Sequence, residues 1–442
     1  MKWGSCCGIR KSCSIWLHKV TLYNEQKSNS TVLYKGEKMI DKRLFEFPIV
    51  YAGVPGRFAI GWGVHETVAD ECKAVNIKKA LIITTGLKGT GIVDEINKIL
   101  TINGIATVIF DKVTSNPKDY EVMEAHKVFK EYGCDGVISV GGGSSHDCAK
   151  AVRAVVANDG KYVGDMAVGL DPPWMEQMKK SKPVTIPQIS VNTTGGTGAE
   201  LSAGGMITNT KAKAKQLIMV PGICPSVALV DPLLVRLMPQ KLVAWTGFDA
   251  LTHAFESFIC RTQSHYNLAI QLRVMKLVAE NLREFTYNRM NSLACENMCW
   301  AESMALAGVQ LGGGVGIVHA MAHGISTLCN SHHGLSNAAV AVPLERYNEP
   351  VCPDKFAEMA RAMGVDTRGM SKMQASNKWF DEIERLLADL NIKTGHLNEQ
   401  FGLQKKDLEH IVKFQYEKDF CREGNPREFN FEDCIRLLED ML

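Results

Sequence analysis

The chain has 442 residues, of which 22% are charged, and its formal net charge at pH 7 is +2. This length is sufficient for two domains with large hydrophobic cores. The balanced charge, without a basic stripe, argues against a nucleic-acid partner, and no apolar run is long enough to cross a bilayer. The 14 cysteines are scattered rather than spaced as a disulfide framework, which favours reduced thiols in a cytoplasmic protein.

The first 38 residues differ in character from the rest of the chain. They contain three cysteines and several lysines, and charged and polar residues interrupt any stretch that could serve as the core of a signal peptide. Gly36-Glu37 can be encoded by the purine-rich sequence GGAGAA, at the distance of a bacterial ribosome-binding site from Met39. We therefore expect translation to start at Met39, with 1–38 as an extension upstream of the true start.

Residues 39–238 have the pattern of an α/β nucleotide-binding domain. Apolar strands alternate with amphipathic helices, and the elements are predicted at 80–84, 92–100, 106–110, 117–132, 136–140 and 185–191. Strands and helices that alternate at these lengths predict a parallel, Rossmann-like sheet with helices on both faces.

A glycine-rich loop follows the strand predicted at 136–140. It consists of Gly141, Gly142, Gly143 and Ser144, and a helix is predicted soon after it, at 148–157. Glycines let the backbone approach a phosphate closely, and the start of a helix offers free N–H groups and a positive dipole end. The usual G-x-G-x-x-G pattern is absent, so a tight turn is the alternative interpretation.

A second polar loop, at 192–200, reads NTTGGTGAE. Its hydroxyl groups and glycines are suited to hold the ribose and nicotinamide of a dinucleotide. The candidate cofactor residues in this loop are Thr193, Thr194, Thr197 and Gly198.

The end of the first predicted strand bears on the choice of dinucleotide. A carboxylate there would bind the adenosine ribose and repel a 2′-phosphate, but this chain has Thr85 and Gly86. We favour NAD as the cofactor, and NADP is compatible with the same residues.

After Met238-Pro239 the strand pattern ends, and 239–442 is predicted to be an all-helical domain. Its helices are predicted at 245–260, 269–285, 292–311, 315–328, 354–363, 379–390 and 405–416.

This second half carries a concentration of potential metal ligands. They are Asp249, His253, His319, His323, His332 and His333. The aspartate precedes its histidine by four residues, and His319 and His323 repeat that spacing, so each pair projects from one helix face. A carboxylate with several imidazoles suits a divalent Fe, Zn, Co or Mn ion, which can polarise an alcohol or carbonyl oxygen. Spacing alone does not show which of His319 and His323 binds the metal. The alternative interpretation is structural, because a single histidine on an apolar helix face is usually a core residue.

These motifs together resemble the iron-containing (group III) alcohol dehydrogenases, from roughly Phe45 to the C-terminus. The resemblance implies a dehydroquinate synthase-like architecture, in which an α/β nucleotide-binding domain is followed by an all-α metal-binding domain. It implies a metal held by Asp249, His253, His319 and His333. The ion implied is Fe2+, with Zn2+, Mn2+ and Mg2+ as alternatives. His323 would then lie beside the metal as a catalytic residue that relays a proton or orients the substrate.

The resemblance also bears on the cofactor. It implies that 141–144 is a pyrophosphate loop, and 192–200 is similar to the family pattern T-T-x-G-T-G-S-E, with Ala199 in place of serine. Lys215 aligns with a family lysine near the cofactor, although the sequence around it, KAKAK, reads as a solvated hairpin.

Four short motifs narrow the resemblance to methanol dehydrogenase-like members, including nitroso-dye-dependent alcohol oxidoreductases. The motifs are TTGLKG at 84–89, SNPKDY at 115–120, SHHGL at 331–335 and GNPRE at 424–428. This subgroup implies a tightly bound nicotinamide and a homo-oligomer, with a decamer as the specific expectation.

We therefore expect NAD(P)-dependent, reversible oxidation of a short primary alcohol, of the methanol or ethanol type, to an aldehyde. The alternatives are a polyol or lactaldehyde-type reductase, a phosphate-substrate relative of the dehydroquinate synthase kind, and a non-enzymatic metal-binding scaffold. The two glycine-rich loops argue against the scaffold.

Overall fold

The computed structural model describes residues 56–170 and 174–442, together with the short strands β1 (Thr31–Val32) and β2 (Ile40–Asp41). These two strands pair antiparallel within a first unit, Met1–Ile49, and all other elements belong to a second unit, Val50–Leu442. The expected start at Met39 lies outside the described residues.

The strands of the second unit form two sheets. In chain order they are β3 (Arg57–Ile60), β4 (Lys79–Thr84), β5 (Ala106–Phe110), β6 (Gly136–Gly141), β7 (Ala167–Val168), β8 (Gln188–Asn192), β9 (Gly205–Asn209), β10 (Ala214–Ile218) and β11 (Val227–Val230). The larger sheet has six parallel strands in the order β3-β11-β8-β6-β4-β5. Strand β6, one of the two middle strands, is buried at every position, as expected for a parallel strand covered on both faces.

The helices follow the alternation that the sequence predicts. In chain order they are α1 (Val68–Ala74), α2 (Ile92–Ile102), α3 (Asp119–Glu131), α4 (Gly143–Ala157), α5 (Trp174–Met178), α6 (Pro232–Val235), α7 (Gln240–Ile259), α8 (His265–Tyr287), α9 (Ser292–Gln310), α10 (Ile317–Cys329), α11 (His333–Asn348), α12 (Pro353–Ala362), α13 (Lys372–Asp389), α14 (Leu397–Phe401), α15 (Lys405–Lys418), α16 (Cys421–Gly424) and α17 (Phe431–Glu439). None that the structure describes is both long and apolar enough to cross a membrane.

Two hydrophobic clusters cover the two faces of the parallel sheet. Val68 and Ile96, from α1 and α2, pack on one face, whereas Val122 and Val152, from α3 and α4, pack on the other. A third cluster lies among the helices after β11 and includes the fully buried Trp379. The predicted fold class, a parallel α/β domain followed by a helical part, is confirmed.

Several element limits differ from the sequence predictions. α4 begins inside the glycine triplet, at Gly143, rather than at 148. α11 was not predicted, because it is buried on nearly all sides and so lacks the amphipathic period on which the other helix predictions depend.

The smaller sheet is antiparallel, with the order β7-β10-β9. The hairpin expected around KAKAK therefore exists, between β9 and β10. Lys215 is not solvated, however, because β10 is the central strand and packs against α10, which leaves the lysine only 7% exposed.

Candidate metal centre and cofactor loops

Three helices bring the candidate metal ligands together. Asp249 and His253 lie on α7, His319 lies on α10, and His333 is the first residue of α11. The start of α11 approaches α7 closely, since a Cβ added to Gly334 would lie 2.1 Å from the carbonyl oxygen of Trp245. The His-His-Gly sequence thus needs its glycine for helix packing.

The donor atoms converge on one point. Single donor atoms of Asp249, His319 and His333 all lie within 4.8 Å of one another. The fourth candidate, His253, adjoins this group through a ring contact with His319, with 4.5 Å between the ring centroids. Asp249 Oδ2 is buried and has no hydrogen-bond partner among the described residues.

The candidate histidine ligands are in the protonation state that binding of a metal ion requires. Burial lowers the pKa of His253 to about 4 and holds the pKa values of His319 and His333 well below the usual range. The imidazoles are therefore neutral near pH 7, as metal ligands must be. Three neutral nitrogen donors beside an unpartnered carboxylate oxygen fit a divalent transition metal.

Two further residues support the candidate ligands, and the sequence analysis missed both. Glu256 pairs through Oε2 with His319 Nδ1, and Asn337 donates to Asp249. Burial raises the pKa of Glu256 to about 8, opposed by backbone N–H groups at the start of α10. Their spacing was the available signal, because Glu256 follows His253 by three residues and Asn337 follows His333 by four.

His323 lies next to the group but has a different partner. Its Nδ1 is 2.8 Å from Asp419 Oδ2, and its ring stacks on that of His333 at a centroid distance of 5.1 Å. Burial alone would raise the pKa of Asp419, but interaction with His323 and hydrogen bonds from Cys421 outweigh it and lower that pKa. The carboxylate therefore stays ionised beside the imidazole.

A pocket of about 230 Å³ adjoins the pair formed by His323 and Asp419. Its lining includes Asp419, Phe420, Met206 and Lys215. Burial lowers the pKa of Lys215 to about 8, and the lysine in turn contributes to the lowered pKa of His333. Lys215 and Asp419, the partner of His323, therefore line the same pocket.

Two of the sequence motifs meet beside the candidate ligands. Asn116 Nδ2 donates a hydrogen bond of 3.2 Å to the carbonyl oxygen of Ser331. Lys118 Nζ lies 3.4 Å from Asn330 Oδ1. These contacts connect the loop after β5 to the loop that precedes His333.

The glycine-rich loop and the second polar loop pack against each other. Added Cβ atoms would lie 2.6 Å from Thr194 Cγ2 at Gly142 and 3.1 Å from Thr197 Oγ1 at Gly143. A Cβ at Gly141, where φ is 143°, would lie 3.4 Å from the carbonyl oxygen of Thr85. The structure thus gathers the three predicted cofactor segments, 85–86, 141–144 and 193–198, at the carboxyl ends of β4, β6 and β8, where ligands of parallel sheets bind.

A buried carboxyl group from the helical part holds the second loop. Glu302, on α9, accepts hydrogen bonds from Asn192 Nδ2 and from the backbone N–H of Gly196. The donor–acceptor distance is 2.5 Å in each. The amide of Asn192 also donates to the carbonyl oxygen of Thr194 over 2.7 Å. Glu302 carried no motif in the sequence, so its contact with the loop could not be foreseen.

The chain is similar to known proteins over most of its length. A family model of the iron-containing alcohol dehydrogenases matches residues 55–232, and one of the C-terminal part of Fe-containing alcohol dehydrogenases matches 243–442. The chain is 36% identical over 419 residues to methanol:N,N-dimethyl-4-nitrosoaniline oxidoreductase of Amycolatopsis methanolica, covering 89% of this chain and 95% of that protein. It is 32% identical over 394 residues to an NAD-dependent methanol dehydrogenase of Bacillus methanolicus, covering 88% and 99%.

A solved structure of 1,3-propanediol oxidoreductase matches with a TM-score of 0.82 and 32% identity, over 89% of this chain and 100% of that one. The named activities of these relatives differ in substrate but share alcohol oxidoreduction. The chain belongs to the iron-containing alcohol dehydrogenase family.

Proposed function

We propose that this protein oxidises a short primary alcohol of the methanol or ethanol type to the aldehyde, reversibly, with a nicotinamide cofactor. The observation that carries the proposal is the convergence of donor atoms of Asp249, His319 and His333 within 4.8 Å of one another, a set suited to a metal ion. The neighbouring His323–Asp419 pair adjoins a pocket that could admit a small substrate. Two relatives, a methanol:N,N-dimethyl-4-nitrosoaniline oxidoreductase and an NAD-dependent methanol dehydrogenase, support this choice of substrate and cofactor.

Asp249, His253, His319 and His333 would hold the metal, with Fe2+ first and Zn2+, Mn2+ or Mg2+ as alternatives. When bound, the dication supplies Lewis acidity toward an alcohol oxygen, and the nicotinamide accepts the hydride.

The glycine-rich loop would receive the pyrophosphate at the start of α4, where backbone N–H groups are free. The loop at 193–198 would hold the nicotinamide end of the dinucleotide, and Thr85 and Gly86 its adenosine end. Lys215 would contact the cofactor from β10. NAD is the preferred cofactor, and the absence of a carboxylate at Thr85 and Gly86 leaves NADP compatible.

His323 would take the hydroxyl proton of the substrate. Asp419 accepts the hydrogen on His323 Nδ1, which leaves Nε2 as the basic nitrogen. The same pair can return a proton to the product oxygen in the reverse direction, because proton transfer by a positioned imidazole is reversible.

The direct test is metal analysis and absorbance of protein purified without added cofactor. About one metal per chain, with a reduced-nicotinamide band at roughly 340 nm that responds to ethanol and to an aldehyde, supports the proposal. Metal with no response, even after NAD and NADP are supplied, would overturn the alcohol assignment.

A polyol or lactaldehyde-type reductase is the second candidate. The pocket of about 230 Å³ exceeds the needs of methanol and includes polar Lys215 and Gln216. Two relatives, a 1,3-propanediol oxidoreductase and a lactaldehyde reductase, support this candidate. Comparison of kcat/KM for ethanol, 1,3-propanediol and lactaldehyde separates the two candidates.

We further infer a boundary between a nucleotide-binding domain, 39–238, and a metal-binding domain, 239–442, and a cytoplasmic homo-oligomer, with a decamer as the specific expectation. Light scattering of the purified protein measures the number of subunits.

A further inference from the structure

We propose that Glu256 is a positioning residue that fixes the metal-binding tautomer of His319. This role rests on the proposed function, since it takes His319 as a metal ligand. It concerns a residue outside the ligand set and predicts a measurable change in metal affinity.

Glu256 lies on the same helix as two of the candidate ligands. It follows Asp249 by seven residues and His253 by three, so all three side chains project from one face of α7. The residue is 2% exposed. A carboxyl group this deeply buried needs partners, because an unpaired buried charge is costly.

The first partner of Glu256 is the start of α10. Oε1 accepts a hydrogen bond of 2.7 Å from the backbone N–H of Val318. The backbone nitrogen of His319 lies 3.4 Å from both carboxyl oxygens. Helix starts have free N–H groups, and no side chain at the N-cap residue, Gly316, can satisfy them. A Cβ at Gly316 would lie 3.0 Å from Oε1, so a glycine there permits this approach.

The second partner is the imidazole of His319. Oε2 pairs with Nδ1, on the side of the ring away from the other candidate ligands. A metal held through Nε2 requires the ring hydrogen on Nδ1, where Oε2 of Glu256 is placed to accept it. Nε2 is then left with its lone pair. Nε2 of His319 and Nε2 of His333 both lie within 3.5 Å of the Asn337 amide nitrogen, so Nε2 faces the other candidate ligands.

This arrangement matters because a histidine binds a metal only through an unprotonated nitrogen. A carboxylate on the opposite ring nitrogen fixes the orientation of the ring and increases the basicity of the ligating nitrogen.

The substitution Glu256→Gln tests this role sharply. Glutamine offers one acceptor and one donor, whereas the two oxygens of Glu256 both face N–H groups. If its NH2 group faces His319 Nδ1, the hydrogen must move to Nε2 and block the metal. If it faces the Val318 N–H instead, the start of the helix loses its acceptor.

Glu345 provides the matched control. It lies on α11 and is fully buried. Its Oε2 accepts a hydrogen bond of 3.0 Å from Asn348 Nδ2. Burial and the neighbouring Glu256 hold the pKa of Glu345 well above its usual range, so Glu345→Gln closely mimics the protonated side chain. The control removes a buried carboxyl group without touching His319.

Full-length proteins are loaded with Co2+ and competed with a chelator of known affinity, and folding is verified by thermal melting. We expect Glu256→Gln to weaken Co2+ binding about 10- to 100-fold and Glu345→Gln to change it less than about twofold. A folded Glu256→Gln with the parent affinity would overturn the proposal, as would equal losses in both variants.

Two more variants complete the test. If Glu256→Gln does not fold, Glu256→Asp keeps both acceptors but is shorter, and we expect binding about tenfold weaker. Parent-like affinity in Glu256→Asp would contradict the role. His333→Ala reports on the proposed function separately, because retention of Co2+ there would refute the ligand set whatever Glu256 does.

Discussion

Asn337 donates a hydrogen bond of 2.6 Å from Nδ2 to Asp249 Oδ1. This contact joins α11 to α7 and leaves Asp249 Oδ2 as the oxygen without a partner. The same Nδ2 lies 3.5 Å from His319 Nε2 and 3.4 Å from His333 Nε2. One amide group therefore contacts three of the four candidate ligands and holds the Asp249 carboxyl group in position among them.

Removal of that amide should weaken metal binding. We expect Asn337→Ala to lower Co2+ affinity about tenfold, because Asp249 loses the partner that orients it. Chelator competition measures the change. Asn281→Ala is the control, since its buried amide donates to the Leu277 carbonyl oxygen instead. Equal losses in both variants would mean that truncation of any buried amide has this effect.

The two adjacent histidines should behave differently. We expect His333→Ala to lose both the metal and activity, because His333 belongs to the converging group. His332→Ala should retain the metal, since His332 instead lies against Trp245, with 5.4 Å between the ring centroids. Metal analysis and ethanol oxidation are measured on both. Full metal occupancy with full activity in His333→Ala would refute its assignment as a ligand.

Asp419 should affect turnover and not metal content. The Cys421 N–H donates to Oδ1, so in Asp419→Asn the amide oxygen keeps that bond and the NH2 group faces His323 Nδ1. The imidazole hydrogen must then move to Nε2, and we expect kcat to fall about 100-fold or more.

We would measure kcat, KM and metal content in Asp419→Asn, with the exposed Glu417→Gln as the control for loss of a nearby negative charge. Turnover should also fall in His323→Ala, with the metal retained. Loss of metal in Asp419→Asn would show that the aspartate supports the ligands rather than the proton transfer. Loss of metal in His323→Ala would exchange the roles of His319 and His323.

Glu200 should make stability depend on pH. Burial raises its pKa to about 7, with the nearby Asp147 acting in the same direction. An unfolded glutamate titrates near pH ~4.3, so ionisation destabilises the folded protein progressively from there to about pH 7 and no further above it. Glu200→Gln, which never ionises, should therefore be more stable than the parent above pH 7, by about 4 kcal/mol.

Chemical denaturation of both proteins near pH ~4.5 and pH ~8 measures this difference, which should be small at the lower pH and large at the higher. A constant difference between the two proteins at both pH values would show that Glu200 is not neutral in the folded protein.

Local patterns were sufficient to predict the fold class and most of the candidate site. The four-residue spacing of Asp249 and His253 is a property of one helix, and the glycine triplet marks the strand–helix junction directly. Such features depend on neighbours in sequence, and a single chain displays them.

The supporting residues could not be predicted in the same way. Asp419 meets His323 across 96 residues, and Glu302 meets Asn192 across 110, and neither pairing leaves a local pattern. The burial of Lys215 could not be predicted either, because its lysine-rich surroundings resemble a solvent-exposed turn, whereas the packing of β10 against α10 buries it.

The hydrogen bonds between Glu302 and the loop at 193–198 bear on how fast a bound dinucleotide would dissociate. Its hydrogen bonds to Gly196 and Asn192 order the loop as part of folding, before any dinucleotide arrives. Binding then loses less conformational entropy, and preorganisation of this kind increases affinity. Since differences in affinity appear mostly in the rate of dissociation, we expect a long residence time, so that a single nicotinamide is reduced and reoxidised in place over many turnovers.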